Sequence, residues 1–106
     1  MISFEDFKKL DLKIAEIKNV KPHPNADRLY ILTIDVGGEQ KDIIAGIKDY
    51  YKQEALIGKK VVVLNNLEPV KIRGIESSAM VLAAKDEKTL TVIVPDKDIS
   101  IGSPVS

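Results

Sequence analysis

The segment from Asn65 to Ala84 reads NNLEPVKIRGIESSAMVLAA, and it gathers the side chains best suited to holding a polyanion. It opens on the amides of Asn65 and Asn66, sets Lys71 and Arg73 on either side of Ile72, and passes through Ser77 and Ser78 before an apolar run. In extended backbone, alternate residues face opposite ways, so PVKIRGI directs Lys71 and Arg73 to one side and Ile72 to the other. Paired cations beside hydroxyls and amides can hold phosphates while Ile72 or Met80 packs on a sugar or base. The bland reading of the same residues is a polar connection between strands. Upstream, PNADRL lets Asn25 and Asp27 brace a turn and leaves Arg28 at the mouth of the strand that follows. Tyr50 and Tyr51 could stack on bases, but one of an adjacent pair normally packs on the core, so one is expected to be available.

Chemistry of other kinds finds little material. His23 is the only histidine, and between Pro22 and Pro24 it is expected on extended, exposed backbone in a structural or incidental role. No partner histidine exists for a metal or a general-base pair, and the absence of cysteine removes thiolate sites, disulfides and a thiol nucleophile. Asp96 with Asp98, and Asp86 with Glu87, stand in lysine-flanked polar loops of the kind that are solvated surface. The GxxxxGK phosphate motif is missing, and Gly37-Gly38 belongs to a hairpin. Neither a catalytic residue, nor a metal, nor a cofactor is expected.

At 106 residues the chain forms one domain, residues 1–106, with room for a single core. Acids and bases balance at 16 each, whereas a wholesale binder of nucleic acid would be strongly basic, so a polyanion site has to be local. The opening MISFEDFKKL carries acids and no long apolar run, which excludes a signal peptide or membrane span there and makes the cytoplasm the expected location.

These side chains need a frame, and the pattern supplies a mainly β one. SFEDFKKL predicts a short helix over about residues 3–10, with Ser3 as cap and Phe4, Phe7 and Leu10 at helical spacing. In LKIAEIKNV the apolar period slips between Ile14 and Ile17, which predicts a bulged or bent strand. YILTIDV and KDIIAGI form a hairpin about GGEQ. KDYYKQEALIG is helical or turn-rich and closed by Gly58, and KKVVVLNNL is a strand. SAMVLAA and LTVIVP pair across KDEKT, followed by a polar, irregular tail, DKDISIGSPVS. About five mostly antiparallel strands, with a helix between the third and fourth, predict an all-β, five-stranded Greek-key OB-fold barrel. A β-sandwich would satisfy the same strands, while an SH3-like barrel gives the middle helix no role.

Three stretches in order, DLKIAEIKNVKPHPNADRLYILTIDVG, IIAGIKDYYKQEALIGKKVVVLNNLEPVKIRGIESSAMVLAA and LTVIVPDKDISIGSPV, closely resemble the tRNA-binding domain family. That family occurs at the C-terminus of methionyl-tRNA synthetase, as a free-standing dimeric tRNA-binding protein, and in synthetase-associated cofactors. The resemblance implies an OB-fold barrel whose mouth meets tRNA through Arg28, Ile72, Ser77 and Met80. Asn65, Asn66, Lys71 and Arg73 join that surface by their chemistry. It also implies non-catalytic, structure-specific tRNA binding, as C-terminal domain or β subunit of methionyl-tRNA synthetase. Apolar residues at both ends, Phe4, Phe7 and Leu10 with Ile99, Ile101 and Val105, predict a homodimer with the helix and the tail from about 95 to 106 in the interface, and the resemblance implies the same, together with association with the synthetase's catalytic chain. A peptide-binding, export-type chaperone and a pure dimerisation module are the rival expectations. One departure is visible: the family's ESxGM reads ESSAM here, with Ala79 where a glycine would admit an RNA backbone or permit positive φ.

Overall fold

The computed structural model describes Met1–Ser106. Its elements are α1 (Phe4–Phe7), β1 (Leu12–Pro22), β2 (Tyr30–Asp35), β3 (Gln40–Ala45), α2 (Gln53–Leu56), β4 (Lys60–Leu64), β5 (Val70–Ile72), β6 (Ile75–Ser77), β7 (Met80–Val81), β8 (Ala83–Lys85), β9 (Leu90–Val92) and β10 (Pro104–Val105). The main sheet runs β3-β2-β1-β4-β7 with β10 also on β1, and β5-β6 and β8-β9 form separate hairpins. The sheet curls into an OB-like barrel filled by Ile17, Leu32, Ile34, Ile43, Leu56, Val61 and Val63. No helix is long and apolar enough to cross a membrane.

The slip in the first strand has a mechanical cause. From Leu12 to Glu16 β1 pairs with β4, and from Glu16 to Pro22 it pairs with β2. The register shifts between Ile17 and Asn19. At the changeover, Ile17 donates to the Lys59 carbonyl at 3.0 Å and accepts from the Gly58 N–H at 2.7 Å, so the α2–β4 turn satisfies the backbone that β4 does not reach. Positive φ at Gly58, +88°, lets the chain turn there. The GG hairpin forms as expected, with Asp35 opposite Gln40, and the Asp35 carboxylate accepts from the Gly37 N–H at 2.9 Å.

Other expectations need correction. The helix is shorter than the 3–10 expected, although Ser3 caps it by accepting from the Asp6 N–H at 3.1 Å. SAMVLAA is divided: Met80 and Val81 pair with β4, while Ala83–Lys85 pair with β9. The tail is not wholly irregular, because Val105 and Pro104 pair with Leu12 and Lys13. PVKIRGI is no single extended strand. It turns back on itself at Arg73 and Gly74, with φ of +53° and +89°, so that Ile72 faces Ile75 and Lys71 faces Glu76. The alternation that set Lys71 and Arg73 on one side therefore stops at Ile72.

Candidate nucleic-acid interface

Two connections meet at one end of the barrel. One is the β1–β2 loop, from His23 to Leu29; the other is the tip of the β5–β6 hairpin. Between them lies a cleft of about 400 Å³ lined by Ala26, Asp27, Arg28, Leu29, Ile72 and Arg73. Its walls are mainly apolar, from Ala26, Leu29 and Ile72, and its charged lining residues are Asp27, Arg28 and Arg73. An apolar slot with two guanidinium-bearing residues against one acid offers a base or sugar a surface to rest on and its phosphate a counter-charge. Arg28 is 85% exposed and lies 3.5 Å from the Asp49 carboxylate, a pair that solvent screens and an incoming phosphate can displace.

His23 lies between the two connections and hydrogen-bonds to both. Contrary to the exposed position expected from its prolines, His23 is only 4% exposed. Its Nδ1 accepts from the Asn25 N–H at 3.0 Å, which closes the loop locally. Because that nitrogen accepts, the proton sits on Nε2, which donates to the Ile72 carbonyl at 3.0 Å. Arg73 is the only residue other than glycine at positive φ. The Asn25 amide reaches its carbonyl at 3.5 Å.

Of the residues expected at the site, Arg28, Ile72 and Arg73 are brought together, with Lys71 next along the hairpin. Ser77 lies at the hairpin's root, 2% exposed. Its hydroxyl accepts from Ile44 at 3.1 Å and donates to the Ala79 carbonyl at 3.0 Å, so it is engaged on both counts inside the protein. Met80 is 42% exposed and stands on the surface rather than in the core. Asn65 and Asn66 face another way. The Asn65 amide nitrogen donates to the Asp11 carboxylate at 3.1 Å; Asn66 accepts from the Asp11 N–H at 2.9 Å and donates to the Lys9 carbonyl at 2.8 Å. Both thus tie the segment after α1 to the end of β4. Ala79 is fully buried among core residues and its φ is not positive, so neither reason for requiring glycine operates here.

Of the tyrosines, Tyr51 is half-buried and its hydroxyl accepts from the Val92 N–H at 3.1 Å, while Tyr50 is exposed with the Lys85 ammonium 5.7 Å from its ring centre. One tyrosine is thus available, as expected. Sequence reasoning allowed His23 a structural role but missed its burial and its bond to Ile72. The signal was present in its placement just before a turn that needs an acceptor for the Asn25 N–H, but its distant partner at Ile72 is not legible from local residues.

Residues 12–104 match the tRNA binding domain family. The chain is 50% identical over 105 residues to the methionine–tRNA ligase of Nanoarchaeum equitans, a match covering 99% of this chain and 14% of that protein. It is 49% identical over 104 residues to the methionine–tRNA ligase of Pyrococcus horikoshii, covering 98% and 14%. The chain therefore spans about one seventh of the length of these relatives. Among solved structures, a MetRS related protein from Pyrococcus horikoshii superposes with a TM-score of 0.92 at 29% identity, covering 100% of this chain and 98% of the other. The CsaA chaperone protein from Picrophilus torridus superposes with a TM-score of 0.92 at 30% identity, covering all of both chains.

Proposed function

This chain belongs to the tRNA binding domain family, and from that premise we propose that it binds tRNA by its folded shape, without catalysing a reaction, in the service of methionyl-tRNA synthetase. The observation that carries the reading is the cleft in which Arg28, Ile72 and Arg73 converge from separate parts of the chain. Its arginines meet backbone phosphates and its apolar walls meet an unstacked base or a sugar, a combination that suits irregular RNA rather than a regular duplex. Lys71 adds a phosphate contact from the hairpin, and Met80 an adaptable apolar one from β7. Tethered or docked on a synthetase, such a domain raises the effective concentration of tRNA near the catalytic chain.

Filter binding of total tRNA across a salt series tests the proposal. With a few phosphate contacts per subunit, log affinity falls against log salt with a slope of about −2 to −4. Lys71→Ala and Arg73→Ala each reduce the slope by about one unit, and Met80→Ala weakens binding with the slope unchanged. Absence of tRNA binding at low salt refutes the reading.

A homodimer is part of the same proposal. No residue of α1 is buried, Ile2, Phe4, Leu10 and Ile99 are exposed, and β10 lies against the start of β1, so apolar side chains from both ends of the chain share one region. Burial between subunits would cover them. Sedimentation equilibrium showing a monomer at micromolar concentration rejects this part alone. The likeness to CsaA chaperone proteins supports a second reading, peptide binding, which predicts that an unfolded peptide competes with tRNA and that affinity is independent of salt.

A further inference from the structure

We propose that His23 is the positioning residue of the cleft: its imidazole fixes the β5–β6 hairpin against the β1–β2 loop, and tRNA affinity depends on that bridge although His23 itself touches no RNA. The inference deepens the tRNA-binding reading and rests on it. The cleft has two walls, and they belong to parts of the chain with little else in common. Ala26 to Leu29 follow β1, whereas Ile72 and Arg73 sit at the tip of a hairpin that forms its own two-stranded sheet and is not hydrogen-bonded into the main one as a strand. A two-stranded ribbon alone is only marginally ordered. Two side-chain hydrogen bonds reach from the loop to the hairpin tip, and that from His23 to the Ile72 carbonyl, at 3.0 Å, is the shorter; that from Asn25 to the Arg73 carbonyl spans 3.5 Å. The imidazole is also the only ring in the chain that can serve both sides at once. It accepts from Asn25 on Nδ1 and donates to Ile72 on Nε2, and its burial shields both bonds from water.

The separate functions of the ring nitrogens make the proposal testable, because each can be kept alone. In His23→Asn the side-chain oxygen stands as many bonds from the backbone as Nδ1 and can still accept from Asn25, but nothing reaches Ile72. In His23→Gln the amide nitrogen stands where Nε2 did and can still donate to Ile72, while the local acceptor is lost. The expected result is that His23→Asn weakens tRNA binding about tenfold and His23→Gln by less than about threefold, both with the wild-type salt slope, since no charge facing RNA is removed. Amide exchange at Arg73 and Gly74 is expected to quicken in His23→Asn and not in His23→Gln.

Three outcomes overturn the proposal: His23→Asn binding tRNA like the wild type, His23→Gln losing as much as His23→Asn, or a reduced slope in His23→Asn, which would make His23 a direct contact. Should wild-type protein bind no tRNA, the functional reading fails, while the exchange comparison still decides whether His23 orders the hairpin. A measurement on the wild type guards against misfolding of the variants. Nitrogen-15 spectra of the imidazole are expected to show the proton on Nε2, and a proton on Nδ1 alone rules out the bridge.

Discussion

The Ser77 hydroxyl accepts the backbone N–H of Ile44 at 3.1 Å and so closes the seam between β3 and the hairpin root. It gives its own proton to Ala79. Ser77→Ala leaves a buried N–H without a partner and is expected to cost about 1–3 kcal/mol of stability, a fall in melting temperature of several degrees or more for a domain of this size. Any loss of tRNA binding should accompany that fall. Weakened binding with an unchanged melt would instead mean that the hydroxyl turns outward to meet RNA.

Arg73 separates stability from binding in the opposite sense. Held at φ +53°, it carries the steric cost of left-handed backbone, which glycine does not. Arg73→Gly is expected to stabilise the fold by up to about 1 kcal/mol while weakening tRNA binding as much as Arg73→Ala does. Thermal melts beside salt-series titrations read both effects. A less stable Arg73→Gly protein would show that packing of the long side chain outweighs the backbone term.

Ala79 puts its methyl in the core, not toward a ligand. Ala79→Gly is therefore expected to lower stability by about 1 kcal/mol, from lost burial and added freedom of the unfolded chain, and to leave tRNA affinity unchanged. Tighter binding would restore the idea that a methyl at this position narrows the RNA fit.

Asn66 makes two side-chain bonds to the segment that links α1 to β1. Replacing it by alanine is expected to cost about 1 kcal/mol and to speed amide exchange at Asp11, with tRNA binding retained. If binding falls while exchange at Asp11 is unaltered, the amide contacts RNA after all.

Asp98 links acidity to the tail. A side-chain hydrogen bond from Lys60, at 2.7 Å, and the attraction of the same ammonium hold its carboxyl below the ordinary 3.8. A depressed folded value means the stabilisation is fully present above the unfolded value and is lost as pH falls through the folded one. At neutral pH the wild type should be more stable than Asp98→Asn by a small margin, since the pair is exposed. Melts in increasingly acid buffer should converge below about pH 3.8, and a constant difference would exclude the ion pair as its source.

Much of the frame was legible because its causes are local. The apolar slip from Ile14 to Ile17 announced an irregular β1, although the register shifts just after it, between Ile17 and Asn19; Gly37-Gly38 announced a hairpin, and Gly58 announced the end of α2. Of the residues singled out from the sequence, Arg28, Ile72 and Arg73 line one cleft. What was not legible depended on partners distant in sequence. His23 looked exposed until Ile72 arrived beside it, Asn65 and Asn66 looked free until Asp11 and Lys9 claimed them, and Arg73-Gly74 is not among the pairs that usually signal a tight turn.

β1 accepts β2 along one part of its length, β4 along another, and β10 at its beginning, where Leu12 is paired with both Leu64 and Val105. The first long strand of this domain is thus completed by its last. The β2–β3 hairpin can form promptly from near neighbours, but the edge of β1 near Leu12 must wait for residues almost a full chain length away. High contact order of this kind slows folding. During synthesis the Leu12–Lys13 edge stays bare until Pro104 and Val105 emerge, an interval in which it could pair with another nascent chain.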